Sequence, residues 1–232
     1  MEEKYKIEIE EMAKAGLHLG HRASKTHPKM LPFIFGMRNT IHVIDLEKTK
    51  QKFLEVLEFI ENCVKEKKTI LFVGTKPQVR DLIKSLATEF SFPYVIYKWI
   101  GGTFTNFPEI KKRVEYLKEL ENKKNSPDWE KYTKKERKEM EEEMKKLEEK
   151  FGGLKNLEDL PEVVFICDLV KEALAAKEAK RKKIKVVAIS DTNANPEMAD
   201  YFIPANDDAI SSVKYILEKV REAILNGLKN GN

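Results

Sequence analysis

No apolar run in this sequence approaches the ~20 residues that a membrane-spanning helix needs, so no part of it is expected to cross a bilayer. Cysteine is nearly absent. Cys63 falls in a helical pattern and Cys167 ends an apolar run, which suits two buried thiols in a reducing compartment and not a disulfide scaffold. The opening MEEKYKIEIEEM is charged from its second residue and lacks the apolar stretch of a secretory leader, so a cytoplasmic protein is expected. Two phosphate-binding signatures are also missing. VGTK follows a strand-like run without the G-x-x-x-x-G-K-[ST] spacing of a P-loop, and no G-x-G-x-x-G occurs.

The most informative absence is local. The chain carries 39 acids in 232 residues, yet from Met12 to Ile44 there is no Asp or Glu. That window holds Lys14, Arg22, Lys25, Lys29 and Arg38, so it is cationic inside a chain whose net charge is only +4. It also holds all four histidines, His18, His21, His27 and His42. Zinc sites combine His with Cys, Asp or Glu, and the window offers none of these, so no metal is expected there. Basic side chains among Gly, Ser, Thr, Pro and Asn are instead what contacts phosphate and sugar. His18, His21 and Asn39 are expected to add polar contacts to RNA. Phe33 and Phe35 are expected in the core.

Elsewhere, strand and helix patterns alternate. Phe53, Leu54, Leu57, Ile60 and Val64 recur at helical steps over Glu47–Lys67, with Asp45 placed as N-cap. TILFVG, YVIYKWI, EVVFIC, KVVAIS and YFIP read as strands, with helices between them and a last helix from Asp207 to about Leu228. Such alternation predicts a doubly wound α/β domain with a parallel sheet. One stretch breaks the rhythm. Residues 109–150 hold 14 Lys/Arg and 13 Asp/Glu, with apolar seams at Phe107, Ile110, Val114 and Leu117 and again at Met140, Met144, Leu147 and Phe151. The expected result is an inserted antiparallel helical hairpin, a coiled coil, projecting from a globular domain made of residues 1–108 and 151–232 that folds without it. Trp129, near its tip, is either a partner contact or a cap on the seam.

A second acid-free window, Phe90–Pro108, contains KWIGGTFTNF. Gly101 and Gly102 permit close backbone approach, and Lys98, Thr103, Thr105 and Asn106 offer donors, so this loop is expected to join the N-terminal segment in one carboxylate-free RNA surface. Asn106 is also placed to cap the next helix. The competing assignment is a nucleotide- or Mg-binding enzyme at the loops of residues 74–76, 168 and 190–196, with Asp168 and Asp191 as ligands. No nucleophile–base pair stands out, and the same residues are common in turns, so no catalysis and no small-molecule substrate are expected.

Six blocks in order, AGLHLGH, HPKMLPFIFGMRNTIHVIDLEKT, ILFVGTK, KWIGGTFTNF, LPEVVFICDLVKE and VVAISDTNANPEMADYFIPANDDAISS, resemble the bacterial form of the S-two family of small-subunit ribosomal proteins. The resemblance runs from about Met12 to Leu225. It implies a flavodoxin-like fold with a coiled-coil protrusion, no cofactor and no enzyme activity. It also implies binding to small-subunit ribosomal RNA at the head–body junction, and help in docking ribosomal protein S-one among other small-subunit proteins. Family elements fall on His18, Gly20 and His21, on Pro28, Lys29 and Met30, on Phe35, Gly36, Arg38 and Asn39, and on Gly101, Gly102, Thr105, Asn106 and Phe107. The chain departs from the family's usual residues at His27, Phe104, Lys183 and Lys185.

Overall fold

The structure, a computed structural model, describes residues 5–230. Its centre is a five-stranded parallel sheet formed by β4 (Ile70–Val73), β5 (Tyr94–Val95), β6 (Val163–Ile166), β7 (Lys185–Ser190) and β8 (Tyr201–Pro204), in the order β5-β4-β6-β7-β8. That is the 2-1-3-4-5 order of flavodoxin-like folds. All residues of β4 and β6 are buried, as expected of strands covered on both faces.

The period of two in each strand feeds two separate cores. Ile70, Phe72, Val163, Phe165, Val187 and Ile189 face one core with α2 (Leu46–Lys65), α3 (Arg80–Glu89) and α7 (Ile210–Asn230). Leu71, Val73, Val164, Ile166, Val186 and Ala188 face the other with α6 (Ala173–Arg181) and the inserted helices. Asp45 caps α2 as expected, its carboxylate accepting from the backbone N–H of Glu47 at 3.1 Å and of Lys48 at 3.4 Å.

The inserted helices are α4 (Phe107–Lys124) and α5 (Lys134–Phe151). Lys124 pairs with Glu141 at 2.9 Å, and Lys155 joins Glu121 and Glu148 at 2.6 and 2.5 Å, so the two helices run antiparallel. Their seam residues Ile110, Val114, Leu117, Leu147 and Phe151 are buried in the same cluster as Val73 and Ile166, so the lower half of the pair is continuous with the core under the sheet. Two local expectations change. Asn106 occupies the N-cap position of α4 but its side chain makes no capping bond. YVIYKWI forms only the two-residue β5, and Trp99 beyond it is buried outside the sheet.

The N-terminal segment has regular structure of its own. Helix α1 (Ile9–Ala15) ends at Gly16 and leads into β1 (Leu19–Arg22), β2 (Ile34–Arg38) and β3 (Ile41–Ile44), an antiparallel sheet ordered β1-β3-β2. Asn39 and Thr40, at φ +48° and +66°, make the two-residue turn between β2 and β3. This small sheet sits at the carboxyl ends of the parallel strands: the backbone N–H of His27 donates to the Thr192 carbonyl at 2.8 Å, and that of Asn206 to the Leu17 carbonyl at 3.1 Å. Gly20 permits the approach, since a Cβ there would lie 2.6 Å from the Thr192 side chain.

Candidate nucleic-acid interface

The crevice at the carboxyl ends of the strands, where a flavodoxin-like fold takes its ligand, is filled by the protein's own groups. The loops after β4, β6, β7 and β8 bring Lys76, Asp168, Asp191, Asp207 and Asp208 together. The Lys76 ammonium lies 2.8 Å from Asp168, 2.7 Å from Asp207 and 2.6 Å from Asp208. Burial disfavours its charge, but the three carboxylates outweigh burial and hold the ammonium protonated well above the usual lysine range. Asp207 moves up to about 7, chiefly because it is buried and secondly because Asp168 and Asp191 are close.

His21 enters this cluster from β1. Its Nδ1 lies 3.1 Å from Asp191 and its Nε2 3.3 Å from Asp208. The hydrogen bond to Asp191, helped by the charges of Asp191, Asp207 and Asp208 and opposed by burial, raises the imidazole above its ordinary value. The His21 backbone N–H donates to the Thr192 hydroxyl at 2.9 Å. His21 is therefore an internal clamp and offers neither ring nitrogen to an outside partner.

The carboxylate-free window in the sequence is thus not a carboxylate-free surface. A cleft of ≈ 400 Å³ is lined by Arg22 and Lys25 together with Asp191 and Asp208. Lys29 pairs with Glu197. The remaining cations, Lys14, Arg22, Lys25 and Arg38, are exposed and enter no ion pair among the described residues. Asn39 is exposed in its turn. His18 and His42 each bury a ring Nδ1 with no hydrogen-bond partner, and His27 Nδ1 accepts from the Lys29 backbone at 3.3 Å. The four imidazoles serve different local purposes and do not converge.

The glycine-pair loop is a separate feature. It follows the edge strand β5, with β4 and β6 between it and the strands that carry the N-terminal segment. Its backbone donors turn inward. Glu178 of α6 accepts from the N–H of Gly102 at 2.8 Å, Phe104 at 3.0 Å and Thr105 at 3.2 Å, and from the Trp99 indole at 3.4 Å. Burial opposes the charge, but these donors hold the Glu178 carboxyl below the usual range. Gly102, at φ +95°, supplies the left-handed residue that the turn needs. Thr103 is buried with its hydroxyl on the Ile100 carbonyl at 2.6 Å, and the Thr105 hydroxyl lies on Glu178 at 3.2 Å. Only Lys98 and the Asn106 side chain remain exposed and unengaged.

One surface was not anticipated. Phe35, expected in the core, is 80 % exposed and Met37 63 %, both on one face of β2, whereas Leu19 and Ile41 belong to the other face of the small antiparallel sheet. The alternation I-F-G-M-R in β2 carried the signal: a strand with one packed side must expose Phe35 and Met37 if it buries Ile34. Trp129 is half-buried at the turn between α4 and α5, with its ring 6.0 Å from that of Tyr132, centroid to centroid.

With Asp168 and Asp191 held by Lys76 and His21, the fold and crevice define an α/β domain of flavodoxin-like topology. The profile of the ribosomal protein S2 family matches residues 12–227, and the chain belongs to that family. It is 44% identical over 221 residues to small ribosomal subunit protein uS2 of Dictyoglomus thermophilum, covering 95% of this chain and 90% of the relative. The proteins of the same name from Roseiflexus sp. and Petrotoga mobilis are 42% and 41% identical, again over 95% of this chain and over 84% and 77% of theirs.

Proposed function

We propose that this chain is a non-catalytic structural constituent of the small ribosomal subunit, working in the cytoplasm. It binds small-subunit ribosomal RNA at the head–body junction and offers a docking face to other small-subunit proteins, S-one among them. Family membership carries the first part. The RNA contact is supported by one observation: Lys14, Arg22, Lys25 and Arg38 are exposed and make no ion pair among the described residues, unlike Lys29 and Lys76, although Arg22 and Lys25 share their cleft with Asp191 and Asp208. His18, Asn39, Lys98 and Asn106 are secondary polar contacts. His21, Thr103 and Thr105 act indirectly, by holding the segments that bear the contacts. The docking face is supported by Phe35 and Met37, two large apolar side chains exposed next to each other on one face of β2, as at protein interfaces.

The test is sedimentation with the small subunit across a salt series. Each phosphate contact steepens the fall of log K with log salt by about 0.7–0.9. Replacing Arg22 and Lys25 with Ala is expected to flatten that slope by roughly 1.5. An unchanged slope removes this patch from the interface. Phe35→Asp is expected to leave subunit binding intact and to weaken retention of S-one, and equal retention removes the apolar patch.

A further inference from the structure

The opposite end of the parallel sheet carries a second basic surface. The turns that enter β4 and β7 have the sequences KEKK (residues 65–68) and RKKIK (residues 181–185), and the fold places them around one cleft of ≈ 430 Å³. Its floor is apolar, with Phe59 stacked on Tyr201 at 4.1 Å between centroids and 19° between planes. The one acid in its lining, Glu162, is turned to the Thr69 backbone N–H at 2.8 Å. Lys68 and Lys185 have partners in Glu66 and Asp200, at 2.5 and 2.9 Å. Lys67, Lys182 and Lys183 are exposed and make no ion pair among the described residues.

Lys182 is the C-cap of α6, and Lys67 and Lys183 are the left-handed residues that close α2 and α6, so the negative ends of two helices also face this cluster. Lys67 and Lys183 also stand at φ +57° and +61°, a conformation that favours glycine, so charge is kept at two positions where the backbone would be better served without a side chain.

From this placement we propose that the cleft is a second RNA site, which takes an unpaired nucleotide: its base lies on the apolar floor beside Phe59, and its flanking phosphates meet Lys182 and Lys183. Cations that track a backbone beside an apolar, aromatic-bearing platform are how single-stranded RNA is held. An acidic peptide would match the rim but would have no use for the floor. The proposal extends the RNA-binding function and rests on it, but concerns the end of the sheet away from the N-terminal segment. The protein would therefore grip RNA at both ends of its strands.

The experiment uses the full chain and a labelled single-stranded RNA of about a dozen nucleotides, titrated at several salt concentrations. For Lys182→Ala with Lys183→Gly, the slope of log K against log salt is expected to become shallower by about 1.4, two contacts at single-strand strength. Lys183→Gly alone relieves the positive φ, so it separates loss of charge from loss of fold, and half that change is expected. An abasic strand of the same charge is expected to bind at least about five-fold more weakly, the lower end for one stacked base. An unchanged slope in the cleft variant, with a reduced slope for Arg22→Ala with Lys25→Ala, overturns the cleft and leaves the N-terminal contact standing. The reverse pattern overturns the N-terminal contact and supports the cleft. Equal binding of the abasic strand, or displacement of RNA from the cleft by a polyglutamate peptide at equal charge, also overturns it.

Discussion

At position 21 an imidazole lies between two carboxylates that arrive from the far end of the chain. Because the folded value of His21 is raised, its contribution to stability is complete below the ordinary imidazole value and is lost as pH rises through the folded value. His21→Gln is thus expected to lower the melting temperature more at about pH 5.5 than at about pH 8.5. Histidine NMR of the intact protein should place the His21 titration above about 6.5, and Asp191→Asn should bring it down. A His21 titrating at or below the ordinary value would mean that the ring does not pair with Asp191. At Lys183, replacing a left-handed lysine by glycine relieves side-chain strain of roughly 1 kcal/mol, and the variant is expected to resist urea slightly better than the parent. The sequence marked position 21 as unusual, since histidine and cationic residues gather around it. It did not show what the imidazole does, because Asp191 and Asp208 lie outside any local window. Charge counted along a chain is not charge counted over a surface.

Among elements, those with a strong period were legible. The alternation of apolar strands with amphipathic helices predicted β4, β6, β7, β8 and the flanking helices to within a few residues, because burial on both faces leaves an apolar run that nothing else explains. The antiparallel sheet β1–β3 was not legible. Its strands are four or five residues long, carry His, Gly and Arg, and are held partly by the edge they cover. Its seating depends on Gly20. Gly20→Val would force a side chain into Thr192 and the His42 carbonyl, and it is expected to lift the segment off the parallel sheet. Limited proteolysis should then cut within residues 20–40 while the rest stays protected. Equal resistance of variant and parent would show that the close approach is not needed.

For the whole molecule, the hairpin and the globular domain share packing. Ile110, Val114, Leu117 and Phe151 belong to the core beneath the sheet, and the seam thins outward through the partly buried Met144 and Met140 to exposed ion pairs such as Lys124–Glu141, which add little. Excising residues 124–141 with a short linker is expected to leave a cooperative unfolding transition within about 1 kcal/mol of the parent. Excising residues 109–150 uncovers Val73 and Ile166 and is expected to abolish it. A stable remnant after the larger excision would show that the hairpin base packs on the core without supporting it. The seam residues were visible in the sequence, but not their continuity with the sheet, since that depends on which face of each strand the helices cover.

The seating of the N-terminal segment also fixes when it can form. Leu17, Gly20 and His27 rest on Asn206 and Thr192, and the Ala15 carbonyl accepts from the Ser211 hydroxyl at 2.7 Å. During synthesis, the first forty-odd residues emerge long before their supports exist. The stretch bearing Arg22 and Lys25 gains its seat on Thr192 and Asn206 only when nearly the whole polypeptide has left the exit tunnel. That seat is therefore complete only at the end of synthesis, and a truncated product that lacks the last two strands would carry the charges without the geometry that arranges them.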